Sequence, residues 1–159
     1  MRIRVLVADQ SEACLFNLGS GRSLDLVARL TDPLAHLHDR DLVSDRPGRK
    51  FDRAPLTRGR RGATGHHSTS GEYSARRHEA AEFARRIAAE LERTHARGEF
   101  EGLILMSGPP FLGLLRKALP ESVRTTLVSE VTKDLVHQGI DSIIEHLPPI
   151  PQVTQTNSY

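Results

Sequence analysis

The stretch DRDLVSDRPGRKFDRAPLTRGRRG, Asp39 to Gly62, divides the chain into two parts that read differently. Its apolar residues keep neither the helical nor the strand period, so it cannot be a core element by pattern. Pro47-Gly48, Pro55, Gly59 and Gly62 punctuate it as loop. Its cations are Arg40, Arg46, Arg49, Lys50, Arg53, Arg58, Arg60 and Arg61. A compact domain rarely carries so long a structureless segment without using it, and binding residues concentrate on such loops.

Before the stretch, the chain reads as strands. Ile3, Val5 and Val7 alternate with Arg2, Arg4 and Leu6 and run into Ala8-Asp9, which predicts a largely buried strand. Asp9-Gln10-Ser11 is a turn, and Ala13–Phe16 a second strand. Gly19-Ser20-Gly21 is another turn, and Leu24–Leu30 a third strand. Three strands on short connections predict an antiparallel meander. Asp32 before Pro33 is placed to start one helical turn over Leu34–Leu37.

After the stretch and the polar segment Ala63–Gly71, helix and strand alternate. Ala80, Phe83, Ala84, Ile87, Ala88 and Leu91 form one apolar stripe, which predicts a helix over Glu72–Arg97. Thr69-Ser70-Gly71-Glu72 fits a capping box at its start, and Gly98 fits its stop. The opposite face carries Glu82 and Arg86, a favourable i,i+4 pair. Arg76 and Arg77 then fall in the first turn, where the helix dipole disfavours cations, and a nearby anion would remove that conflict. Phe100–Met106 reads as a buried strand, Phe111–Leu119 as a helix, Arg124–Val131 as a strand and Asp141–Leu147 as a short helix. This order predicts a single α/β domain over residues 1–147. Its mixed sheet joins the antiparallel N-terminal meander to parallel strands, flanked by helices, with a long basic loop at about 39–71. Pro148, Pro149 and Pro151 open a polar tail, 148–159, with the composition of a disordered segment.

The totals narrow the functional classes. At 159 residues and 38% apolar content, one core is affordable. The net charge is only +2, so the arginine-rich segment is a local feature suited to phosphate rather than general stickiness. With Cys14 alone, neither an internal disulfide nor a cysteine-built zinc site is available, as expected of a reducing compartment. The N-terminus does not read as a signal peptide, and no apolar run reaches the roughly 18 residues needed to cross a bilayer. The expected location is cytoplasmic, without a membrane partner.

Several blocks resemble a known family: DRDLVSDRPGRKFD (Asp39–Asp52), HEAAEFARRIAAEL (His78–Leu91), LILMSGPPFLGLLRKAL (Leu103–Leu119) and VSEVTKDL (Val128–Leu135). They are similar to the bacterial host attachment protein family, over about Arg4 to Leu135. That family is similar in fold to the middle domain of archaeal and eukaryotic peptide-chain release factors, and the resemblance implies a sheet flanked by helices with a long loop before a long helix. It also implies a role at the ribosome. In release factors the loop carries a Gly-Gly-Gln tripeptide. Here none exists, and the glutamines, Gln10, Gln138, Gln152 and Gln155, all lie outside the loop. Peptidyl-tRNA hydrolysis by that route is therefore not expected. Phosphate contacts survive the objection, because they need charge rather than a particular tripeptide.

The leading expectation is a non-enzymatic factor that binds the ribosome or a structured RNA and needs no cofactor. Arg46, Arg49, Lys50, Arg53, Arg58, Arg60, Arg61, Arg76 and Arg77 would contact phosphate, and Asp41, Asp45 and Asp52 would order the loop by pairing with its arginines. Attachment would then be an indirect consequence. An alternative is a metal-dependent nuclease or hydrolase drawing on Asp9, Asp41, Asp45, Asp52 and Asp134. Another is a protein-interaction module. His36-x-His38-Asp39-x-Asp41 resembles a metal cluster, but surface histidines are the commoner explanation. Cys14 sits mid-strand, where buried inert cysteines are common. At Ser107-Gly108 a strand-to-helix turn suits an anion, but Pro109 and Pro110 remove two amides.

Overall fold

The computed structural model describes residues 1–34 and 61–150; for residues 61–70, Glu72 and Tyr73 it describes the backbone alone. Strand β1 is Ile3–Ala8, β2 Glu12–Leu18 and β3 Leu24–Thr31. Helix α1 follows at Arg61–Ala96, then β4 at Gly102–Ser107, α2 at Pro109–Ala118, α3 at Glu121–Arg124, β5 at Leu127–Val131 and α4 at Ile140–Glu145. The five strands form one sheet in the order β3-β2-β1-β4-β5. β1 pairs antiparallel with β2 and parallel with β4, and β5 continues the parallel side. This is the expected mixed sheet, with the meander formed by β1 to β3.

β1 sits at the centre, and all six of its residues are buried. Alternation divides them between two cores. Leu6 and Ala8 join Leu15, Leu103, Leu105 and the α1 stripe Phe83, Ala84, Ile87 and Leu91 on one face. Ile3, Val5 and Val7 join Phe16, Ile104, Met106, Leu135 and Ile143 on the other. Thus α1, α2 and α3 cover one face, and α4 with the segment before it covers the second. Arg4 is only 2% exposed. It donates from Nε to Asn17 Oδ1 at 3.0 Å and lies 5.3 Å from the centroid of Phe100. Burial lowers its pKa, opposed by Glu99 and Glu90 near the end of α1.

The edge strand β3 carries a bulge. Leu15 faces Ala28 and Phe16 faces Leu26, so Val27 is the extra residue. A bulge twists an edge and discourages further pairing, which matters here because Leu26 and Val27 are exposed. Arg22, with φ of 61°, donates to the carbonyls of Ile144 and Leu147 and so ties the β2–β3 connection to the end of α4.

Three sequence expectations are corrected. α1 begins at Arg61, not Glu72, so Ala63–Gly71 is helical and the Thr69–Glu72 capping box falls inside the helix. Arg76 and Arg77 are consequently in mid-helix, and the first-turn dipole argument for them fails. Arg124 belongs to α3, and β5 starts only at Leu127. Other expectations are met. Gly98 has φ of +75° and its amide bonds His95, as a helix stop requires. Asp32 accepts from the Leu34 amide at 3.1 Å, as a helix start requires, while Ala35–Leu37 of the expected turn lie outside the described residues. The basic segment through Arg60 and the tail 151–159 lie outside the described residues.

Candidate functional site

Ala8 of β1 is in register with Ser107 of β4, so Asp9 and Gly108 leave the sheet side by side. Asp134 follows β5 and comes back to Gly108: a Cβ built on Gly108 would lie 3.6 Å from Asp134 Cβ. These residues mark the carboxyl ends of adjacent parallel strands, where open α/β sheets hold their ligands. A cleft of about 600 Å³ opens there.

Two helices form its walls. In α1, Arg76 and Arg77 lie one turn before Ala80, and the i+3 and i+4 spacings put all three on one side. In α2, Pro110, Gly113, Leu114 and Lys117 repeat the same spacing. Phe111 closes the floor, 5% exposed and stacked on Phe83 at 6.0 Å between ring centroids. Among the described residues, Arg76, Arg77 and Lys117 make no ion pair, and neither does Asp134. Three cations and two carboxylates, Asp9 and Asp134, therefore line one cleft, and no ion pair joins the cations to either.

Asp9 is occupied differently. Its Oδ1 accepts from the amides of Ser11 and Glu12, each at 2.8 Å, and from the Ser11 hydroxyl at 3.0 Å. Its Oδ2 lies 3.1 Å from His137 Nε2. Glu12 in turn pairs with Arg29 at 3.2 Å and lies 3.9 Å from His137 Nδ1. This cluster fastens the segment after β5, which carries Asp134, to the β1–β2 turn. Among the described residues, no three His, Cys, Asp or Glu side chains gather so as to hold a metal ion.

The helix start at Gly108 behaves as the prolines require. Pro109 and Pro110 occupy the first two helical positions, and Gly108 makes no side-chain cap. The Leu112 amide is taken by the Gly108 carbonyl. Anion capture by backbone amides is thus weak there, and the positive groups in the cleft are side chains. Ser107 Oγ, wholly buried beside it, has no hydrogen-bond partner. By strand alternation, Ser107 shares the face of Leu103 and Leu105, on which α1 and α2 pack.

Of the phosphate-binding candidates read from the sequence, Arg76 and Arg77 are brought into the cleft. Arg61 is placed by its backbone only, at the start of α1. Arg46, Arg49, Lys50, Arg53, Arg58 and Arg60 lie outside the described residues, as do Asp41, Asp45, Asp52, His36 and His38. Sequence reading missed Lys117, because FLGLLRKAL is dominated by its core-facing residues. Gly113 was also missed; a Cβ there meets nothing within 4 Å. A glycine in a helix interior costs about 1 kcal/mol against alanine, and at Gly113 no packing demand explains it. Cys14 is buried, as expected of an inert core thiol.

Among the described residues, no helix is long and apolar enough to cross a membrane. No curated protein matches the chain significantly. A family model described as "Protein required for attachment to host cells" matches residues 4–147, more than half of the chain, which therefore belongs to that family.

Proposed function

We propose that the protein binds RNA through its phosphate backbone, as a ribosome- or RNA-associated factor acting inside the cell. The observation that carries this reading is the set Arg76, Arg77 and Lys117, unpaired among the described residues and sharing one cleft at the carboxyl ends of the parallel strands. Three exposed, unneutralised cations on two helices suit a phosphate, and phosphate contacts supply much of the affinity in such interfaces. The basic segment Arg46–Arg60 immediately precedes α1 in the chain, the helix that bears two of these cations. It would extend the same positive surface.

The resemblance to release-factor middle domains adds to this reading, since it implies a long loop ahead of a long helix, and here the residues at that place are basic. Without Gly-Gly-Gln, the proposed role is binding and not hydrolysis. Attachment to host cells would follow indirectly, through altered expression or translation.

The test is co-sedimentation with ribosomes from a cell lysate. Wild type should travel with ribosomal fractions and leave them as salt rises. The variant R76A/R77A/K117A should stay at the top of the gradient, as should one with Arg46, Arg49, Arg60 and Arg61 changed to alanine. Wild type remaining at the top, with no affinity for extracted RNA, would overturn the reading.

A further inference from the structure

We propose that the cleft distinguishes RNA from DNA, with Asp134 accepting a hydrogen bond from a ribose 2′-hydroxyl while Arg76, Arg77 and Lys117 hold the adjoining phosphate. This rests on the RNA reading above and specifies the ligand of the same site.

The cleft holds a conflict of charge. A cleft built only to attract phosphate gains nothing from a carboxylate. Yet Asp134 lines it with the three cations, and no ion pair neutralises it among the described residues. The segment that carries it is held in place: His137 lies 3.1 Å from Asp9, and Leu135 is buried in the core. A ligand suited to this cleft offers anionic oxygens to one side and a hydroxyl donor to the other. A DNA backbone offers acceptors alone, so it would meet repulsion at Asp134 with no compensating bond. A ribonucleotide offers both groups on neighbouring atoms, and the 2′-hydroxyl is the group by which proteins tell RNA from DNA.

The size and lining agree. The volume of about 600 Å³ falls in the range of small-molecule sites. Phe111, Ala80 and Leu114 give it an apolar floor for the sugar or base. Gly113 contributes no side chain, so the wall opposite α1 stays open.

Fluorescence polarisation with labelled oligouridylate and oligodeoxyuridylate tests this, because the two probes differ only in the 2′-hydroxyl. Wild type should prefer the ribo form by about tenfold, the worth of one hydrogen bond to a charged group. Asp134→Ala should bring that ratio close to one, even if both affinities rise as a negative charge is lost. Gly113→Leu should reduce the preference with every charge retained. Equal binding of both probes by wild type, or a preference that survives Asp134→Ala, would overturn the inference and leave the RNA reading standing. Failure of both probes to bind would overturn the inference, and the RNA reading falls with it only if ribosomal fractions and extracted RNA are not bound either.

Discussion

His137 and Asp9 are 128 residues apart in the chain, and His137 Nε2 lies 3.1 Å from Asp9 Oδ2. The other oxygen of the same carboxylate closes the β1–β2 turn by accepting from Ser11 and Glu12. One side chain thereby ends the central strand, shapes its hairpin and anchors the segment that delivers Asp134 to the cleft. It joins local structure to the site more directly than any other described residue.

Asp9→Ala should therefore cost more than His137→Ala. The Asp9 side chain is mostly buried, and its loss strands two amides, an effect of about 1–3 kcal/mol. His137 is largely exposed, so its pairing contributes at most about 1 kcal/mol. Urea denaturation of the single and double variants gives the order. Equal losses would show that the turn bonds contribute nothing.

Gly102 tests the packing of the parallel side. A Cβ there would lie 3.0 Å from Val128 Cγ2 and Met1 Sδ, and 3.4 Å from Ile3 Cγ1. The methionine end can move, but Val128 sits on β5 and Ile3 on β1. Gly102→Ala should destabilise by about 1–3 kcal/mol, the usual cost of overpacking. A neutral or stabilising effect in urea would mean that β4 and β5 separate easily.

Cys14 makes stability depend on alkaline pH. Burial raises its thiol pKa, opposed by a hydrogen bond from Arg29. The unfolded thiol loses its proton first, so in that window the folded state binds more protons. Its contribution is complete below the ordinary thiol range and is lost as pH rises through the raised folded value. Wild type should lose stability between neutral and alkaline pH more steeply than Cys14→Ala. Parallel slopes for the two would refute this, as would thiol labelling faster than global unfolding.

These residues also show where sequence reading succeeded. β1, β2 and β3 were legible because alternation and short Gly or Asp turns act locally. The second half of α1 was legible from the Ala80–Leu91 stripe. Its first half was not: Gly62, Gly65 and Gly71 with serine and threonine are weak helix formers, and no apolar stripe offsets them. The cleft was legible only in pieces. Asp9, Arg76 and Arg77 were picked out, Arg76 and Arg77 through a dipole argument that the longer helix removes. Asp134 was named only as a metal-site candidate, and Lys117 not at all; their place beside the arginines arises only when α2 and the segment after β5 meet α1, and no local pattern records that meeting.

Gly113 separates the needs of the fold from those of the site. In the helix interior glycine is the poorer choice, and the space at its Cβ is open. Gly113→Ala should thus stabilise the protein by about 1 kcal/mol, visible as a higher urea midpoint. Gly113→Leu would put a branched side chain into the cleft between Lys117 and the arginines. It should keep stability near wild type and weaken RNA binding by about tenfold, roughly the effect of losing one well-placed phosphate contact. If Gly113→Leu binds RNA as well as wild type does, contact is made by the basic segment alone and the cleft serves another ligand. If it binds poorly while Gly113→Ala binds normally, the absence of a side chain at this position belongs to the site.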